Sequence, residues 1–304
     1  MILKNTNKHL IVLAGPTGIG KTSLGIELAR HFGTEIISSD SRQIFKEMRI
    51  GTAVPSGEEL AAVKHYFIQT HSIHEHYNAS KYEKEALGKI GELHQKYNQV
   101  FMVGGSGMYI DAVCNGIDYF PEIDFAIRRK YAELYENEGI EAIQQLLLKV
   151  DPDHYNKVDL KNYKRILKAL EITEMTGKPY SSQLSYTVKE RPFKIIKLAL
   201  DMDRNELYNR INQRVLQMME EGLEEEARRV YPYLENTSLK TVGYRELFEY
   251  FDGEITREEA IEQIQNHSRA YARRQLTWLR RDKQYKWFHP KDIDEIKSYI
   301  SGII

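Results

Sequence analysis

The chain has 304 residues, 41% of them apolar and 29% charged, and its 43 lysines and arginines almost cancel its 44 acidic residues, for a net charge of −1. That length carries one large α/β core plus a smaller appended or inserted unit. No apolar run reaches the roughly eighteen residues of a membrane span, the single cysteine, Cys114, excludes an intramolecular disulfide and a multi-cysteine metal site, and the balanced charge makes no general case for nucleic acid.

Residues 1 to 7 lack the apolar core of a signal peptide, so the expected compartment is the cytoplasm. The apolar run Leu10 to Ala14 then reads as a buried parallel strand, and Ser23 to Phe32 as a helix with Leu24, Leu28, Ala29 and Phe32 on one face. Between them stands Gly15-Pro16-Thr17-Gly18-Ile19-Gly20-Lys21-Thr22, a complete G-x-x-x-x-G-K-[ST] loop in the strand-to-helix context that its chemistry needs. Backbone N–H groups and the positive end of the helix dipole would wrap a di- or triphosphate there, Lys21 would add a charge, and the Thr22 hydroxyl would hold Mg²⁺.

A second short strand, Glu35 to Ser39, ends at Asp40, and a third, Val100 to Val103, runs into Gly104-Gly105-Ser106-Gly107-Met108-Tyr109. Parallel strands that end in polar or glycine-rich turns mark a doubly wound sheet, whose ligands lie beyond the carboxyl ends of the strands. The phosphate loop, Asp40 and Ser106 are thus expected at one crevice. Asp40 there serves either as a base or metal-orienting carboxylate, or as a cap on the segment that begins at Ser41.

From 119 to 191 the pattern turns helical (Ala126 to Glu136, Ile140 to Leu148, Tyr163 to Thr176), which reads as an insertion into a core formed by 1–118 and 192–304. Lys194 to Asp201 reads as a strand that rejoins the parent sheet, and Glu206 to Tyr231 as a helix. Arg210 and Arg214 share a face of that helix, where they either grip phosphate or form an ordinary solvated pair, the reading that spacing alone favours. The segment Arg273 to Trp287 has six basic residues against one acid, interleaved with aromatics. It suits phosphate and base contacts, and equally an amphipathic helix with Leu276, Trp278 and Leu279 turned inward. Cys114 reads as a small core hydrophobe.

The ordered set of the phosphate loop, Asp40-Ser41-Arg42-Gln43-Ile44-Phe45, Ile50-Gly51-Thr52-Ala53-Val54-Pro55, the 104–109 turn, Lys164 to Glu171, Val242-Gly243-Tyr244-Arg245-Glu246 and Arg273 to Arg280 closely resembles the bacterial tRNA dimethylallyltransferases, also called tRNA isopentenyltransferases. The resemblance runs from about residue 9 to about 290. Departures are small: Ser106 stands where the family more often has Thr, and Lys240 and Thr241 precede Val242 where arginine and a small residue are usual. It implies a phosphate-loop α/β fold of parallel strands flanked by helices with a helical insertion domain, and a monomer. It implies transfer of a dimethylallyl group from dimethylallyl diphosphate to N6 of the adenosine 3′ of the anticodon, in tRNAs that read codons beginning with U. Asp40 would be the base, with Lys21, Ser106, Arg214 and Mg²⁺ at Thr22 stabilising the departing diphosphate. The tRNA anticodon stem-loop would meet Asp40 to Gln43, Ser106, Arg128, Lys164, Arg165, Ile166, Leu167 and Lys168. The acceptor channel would be lined by Lys240, Val242, Gly243, Tyr244, Arg245, Arg273, Arg274, Gln275, Thr277 and Arg280. The same loop and carboxylate would also serve a small-molecule kinase, an adenylate isopentenyltransferase, or an RNA-binding module without chemistry.

Overall fold

A computed structural model describes residues 7–121, 124–185 and 187–304, so of the expected leader-free start only Asn7 falls among the described residues. The chain separates into two compact units, 1–115 with 190–304, and 116–189.

In the first unit the chain runs β1 (His9–Ala14), α1 (Lys21–His31), β2 (Ile36–Ser38), α2 (Gly57–Ala62), β3 (His65–Tyr66), α3 (Ala79–His94), β4 (Gln99–Gly104) and α4 (Gly107–Asn115). The second unit holds α5 (Phe125–Val150), α6 (Pro152–Tyr155) and α7 (Tyr163–Thr176). The first unit then resumes with β5 (Lys194–Leu200), α8 (Arg204–Glu220), α9 (Leu223–Val230), α10 (Tyr244–Phe251), α11 (Arg257–Leu279), β6 (Lys286–Phe288) and α12 (Ile293–Ser301).

Six strands form one sheet in the order β3-β2-β4-β1-β5-β6, with every pairing parallel. β1 lies inside it because its residues are buried on both faces: Leu10, Val12 and Ala14 join one apolar core, and Ile11 and Leu13 the other. This period-two split needs helices on both sides of the sheet, and burying each such side chain contributes about 1.5–3 kcal/mol. β5 pairs with β1 from His9↔Lys194 to Ala14↔Ala199, so the strand after the insertion does rejoin the sheet. β3 and β6, of two and three residues, are too short to show a period in the sequence. The expected helix from Glu206 to Tyr231 is instead two, α8 and α9, parted at Gly222, whose φ of 98° no helix continues through. Cys114 is buried in the core, as a small hydrophobe would be.

The second unit packs α5 against α7 around Tyr131, Ile143, Leu147, Ile166, Ala169 and Leu170. Asp124 caps α5 by accepting from Ala126 N–H at 2.7 Å, and Gly139 (φ 83°) joins the two expected helices end to end with a kink. α7 spans Tyr163 to Thr176 as its periodicity predicts, and stops at left-handed Gly177. No helix among the described residues is long and apolar enough to cross a membrane.

Candidate active site

The loop between β1 and α1 turns through Gly18 (φ 81°) and Gly20 (φ 100°), a left-handed geometry that a side chain would strain. Thr17, Gly18, Gly20, Lys21 and Thr22 open onto a cavity of about 750 Å³, while Gly15, Pro16 and Ile19 are buried beneath it. The first-turn N–H groups of α1, at Lys21, Thr22 and Ser23, have no carbonyl of their own helix to meet and carry the positive end of its dipole. Lys21 Nζ donates to Pro16 O at 2.7 Å, which folds its ammonium back over the loop. Burial pulls that ammonium down to about 7; the charge of Asp40 opposes the shift and that of Arg214 adds to it. An anion at the loop would reverse the desolvation cost that depresses Lys21.

Asp40 sits beyond the carboxyl end of β2, on the same cavity. The cap reading holds, since Oδ1 accepts from Arg42 N–H at 2.8 Å and Gln43 N–H at 3.2 Å, and the side chain also lines the cavity wall. The cap holds the carboxylate's orientation through Oδ1. Gln43 is itself committed, its amide donating to Thr52 O at 3.1 Å and Ala53 O at 2.9 Å, so it shapes the 50–55 wall rather than presenting that amide to a base.

Arg210 and Arg214 both line the cavity; Arg210 stays exposed, as the solvated reading has it, while Arg214 is half-buried. Arg214 Nη1 donates to Thr17 Oγ1 at 3.3 Å, and burial lowers its guanidinium from its ordinary value, with Asp40 and Glu221 acting the other way. The two arginines, Lys21 and the helix N-terminus make a cationic floor suited to a diphosphate.

A second cavity of about 580 Å³ shares Thr17, Asp40, Thr52, Arg214, Met218 and Tyr271 with the first. Its remaining wall includes Ser41, Arg42, Lys240, Val242, Gly243, Arg245, His267 and Arg274. The two chambers therefore meet at Asp40, the phosphate loop on one side and the 240–245 segment on the other. Tyr271, which no sequence motif singles out, stands at this junction, its phenol pushed up to about 12 by burial and by Asp40. Two buried carboxylates brace the wall of the second chamber. Glu226 accepts from the N–H groups of Arg49, Ile50 and Gly51 at 2.9–3.0 Å and from Tyr244 Oη at 2.7 Å. Glu246 accepts from Gly243 N–H and Arg245 Nη2, both at 2.8 Å, and meets His267 Nδ1 at 2.6 Å.

Several expected contact residues take other places. Ser106 is buried and lines neither chamber; its hydroxyl accepts from Ser41 N–H at 2.8 Å and braces the Asp40 turn from behind. The Thr17 N–H, expected for the diphosphate, is taken by Gln275 Oε1 at 2.9 Å. Tyr244, with its hydroxyl on Glu226, and Ile166 are fully buried and Leu167 packs on the core of its unit, so interior contacts account for them. Arg273, Thr277 and Arg280 face a different cleft, with Asp201 and Tyr208, because α11 turns them away from the side that carries Tyr271, Arg274 and Gln275. Arg273 donates to Tyr208 Oη at 3.0 Å and Arg280 to Asp201 at 2.8 Å. Trp278 and Leu279 do turn inward, Trp278 Nε1 donating to Asp111 at 3.0 Å. In the helical unit Lys164, Arg165 and Lys168 are exposed on α7, and Arg128 pairs with the largely buried Glu171 at 3.6 Å.

Residues 43–282 match the family model described as IPP transferase. The chain is 53% identical over 291 residues to a protein named tRNA dimethylallyltransferase 2 from Azobacteroides pseudotrichonymphae, covering 96% of this chain and 95% of that protein. It is 50% identical over 299 residues to tRNA dimethylallyltransferase 1 from Bacteroides fragilis, covering 98% and 99%. Among solved structures it resembles the tRNA isopentenylpyrophosphate transferase of Bacillus halodurans, with a TM-score of 0.72, 35% identity and coverage of 97% and 96%. It also resembles a eukaryotic dimethylallyltransferase described as acting on tRNA, with a TM-score of 0.77, 27% identity and coverage of 97% of this chain and 77% of that one.

Proposed function

The chain belongs to the IPP transferase family and is a tRNA-prenylating enzyme, and we propose that its reaction moves a dimethylallyl group from dimethylallyl diphosphate to N6 of the adenosine 3′ of the anticodon, in tRNAs reading codons that begin with U. The observation that carries this reading is the meeting of the two chambers at Asp40. One is floored by a phosphate loop and two arginines; the other is walled by Lys240 to Arg245, His267 and Arg274.

In this reading the N6–C1 bond forms as the C1–O bond to the diphosphate breaks. The exocyclic amine of adenine shares its lone pair with the ring and is a weak nucleophile, so its proton must leave as the bond forms. The free oxygen of Asp40 accepts that proton, the carboxylate being held in place by the N–H groups of Arg42 and Gln43. Negative charge grows on the leaving diphosphate, and Lys21, Arg214, Arg210 and the N-terminus of α1, all on the cavity, would stabilise it. Mg²⁺ prefers hard oxygen donors, and Thr22 supplies a hydroxyl at the cavity. Among the described residues no group of three or more His, Cys, Asp or Glu side chains would cage a metal, so diphosphate oxygens would complete the set around Thr22. When bound, the ion would neutralise the leaving group.

The acceptor base is stacked in an anticodon loop and has to leave the stack to reach Asp40. The second chamber offers the passage, and exposed Lys164, Arg165 and Lys168 on α7 are suited to phosphates of the stem. The enzyme is read as a cytoplasmic monomer. Nucleoside mass analysis of unmodified tRNA after incubation with the protein, dimethylallyl diphosphate and Mg²⁺ tests the proposal. The expected product is one N6-dimethylallyladenosine next to the anticodon; phosphoryl transfer from ATP with no prenylated nucleoside would overturn it.

A further inference from the structure

Helix α11 reaches the phosphate loop through one side chain. Gln275 is 7% exposed, and both ends of its carboxamide are engaged: Oε1 accepts from Thr17 N–H and Nε2 donates to Gly105 O, each at 2.9 Å. A single planar group thus joins the loop after β1 to the turn after β4. The fit excludes any bulk at the turn, because a Cβ at Gly105 would lie 2.3 Å from Nε2. This explains the glycine there without assigning it any part in phosphate binding.

The bridge has a consequence for the reacting atoms. The bond to Gln275 holds the Thr17 N–H, and the Thr17 side chain lies at the junction of the two chambers, where Oγ1 accepts from Arg214 Nη1 at 3.3 Å. Arg214 is one of the cations on the phosphate floor, and Asp40 acts on it by charge. One helical turn before Gln275, Tyr271 lines the junction beside Asp40. α11 therefore touches the donor loop with one side chain and the junction with the next.

We propose that Gln275 is a positioning residue for the transfer step: it sets the phosphate loop through Thr17, and through Thr17 the Arg214 guanidinium, and it makes no contact with RNA. This rests on the prenyl-transfer reading above. A carboxamide is the group that fits, because the bridge needs an acceptor for an N–H and a donor for a carbonyl within one plane. Glutamate keeps the acceptor but sets an oxygen against Gly105 O; leucine keeps the volume and removes both bonds.

The test compares Gln275→Glu, Gln275→Leu and Gly105→Ala with the wild type, by calorimetric binding of inorganic diphosphate with Mg²⁺ and by steady-state transfer to tRNA. Diphosphate binding needs no transfer and no RNA, so it reads the bridge even if the acceptor assignment fails; a wild type that binds diphosphate but never prenylates tRNA would count against the function and not against the bridge. Gln275→Leu is expected to weaken diphosphate about tenfold and to lower kcat by about thirtyfold or more, with the tRNA KM unchanged within about twofold. Gln275→Glu should fall between leucine and wild type. Gly105→Ala, which pushes Nε2 away from the other side, should reproduce the loss of diphosphate affinity and keeps the proposal testable if the leucine variant does not fold. A higher tRNA KM with diphosphate affinity and kcat intact would make Gln275 an RNA contact and overturn the proposal, as would three folded variants with wild-type diphosphate affinity and kcat.

Discussion

Lys21 makes diphosphate binding a proton-coupled event. Burial draws its ammonium down to about 7, with Asp40 opposing and Arg214 reinforcing the shift. A diphosphate on the loop sets full negative charges against that ammonium and returns it to its ordinary range above about 10. Lys21 in the free protein then carries about 0.9 proton at pH 6, about 0.5 at pH 7 and about 0.1 at pH 8, against about one throughout when loaded. Uptake on binding thus climbs from about 0.1 to about 0.9 proton across that interval. The sign follows: the charged form is the one that binds, so above pH 7 affinity drops by up to about tenfold per pH unit, and below it Lys21 contributes little pH dependence. Calorimetric titration of dimethylallyl diphosphate in buffers of different ionisation enthalpy reads the uptake directly. Lys21→Met is the reference, since it keeps the apolar stem and cannot titrate, while proton changes on the diphosphate itself are common to both proteins. A difference between the two proteins that stays flat from pH 6 to pH 8 would refute the reasoning.

Asp40→Asn retains an Oδ1 for the Arg42 and Gln43 N–H groups, so shape and tRNA affinity should persist while single-turnover transfer slows by about 10² or more; near-normal turnover would remove Asp40 from the chemistry. Glu226→Gln sets an NH₂ against N–H groups that the carboxylate now receives, and should cost about 2–4 kcal/mol in urea unfolding; an unmoved midpoint would show that the 49–51 wall does not depend on that charge. Replacing Lys164 and Arg165 together with alanine should flatten the log–log salt dependence of tRNA binding by about 0.7–0.9 for each RNA phosphate no longer neutralised, leaving dimethylallyl diphosphate affinity unchanged. Full retention of the slope would return both residues to an ordinary solvated face.

What could be read from the residues alone was local. The phosphate loop announces itself because its glycines, lysine and threonine are contiguous, and α7 does so because Ile166, Ala169 and Leu170 repeat at helical spacing. The sequence motif offers Gln275 only as a channel residue; its bridging place is not legible there, because its partners lie 258 and 170 residues away. Glu226 closes a run of three glutamates that reads as a solvated face, and only packing against Tyr244 and the 49–51 amides sets it apart from Glu224 and Glu225. Arg273, Thr277 and Arg280 erred the other way. A basic stretch tells nothing of which turn of a helix faces a cavity, so one motif was divided between two clefts.

The pairing of β1 with β5 bears on how the molecule is made. β1 is synthesised well before β5, so one of its edges is closed only when residue 194 has been added, with the whole of the 116–189 unit in between. That unit is continuous in sequence and holds its own apolar core, so its folding waits on nothing downstream. Until β5 arrives, the nascent chain carries an apolar strand with an open hydrogen-bonding edge, the kind of surface on which chains aggregate. Pairing so distant in sequence is also entropically slow to form. β5 therefore pairs only after the 116–189 unit has been made, and the phosphate loop borne on β1 gains its support from α8 and from Gln275 on α11 later still.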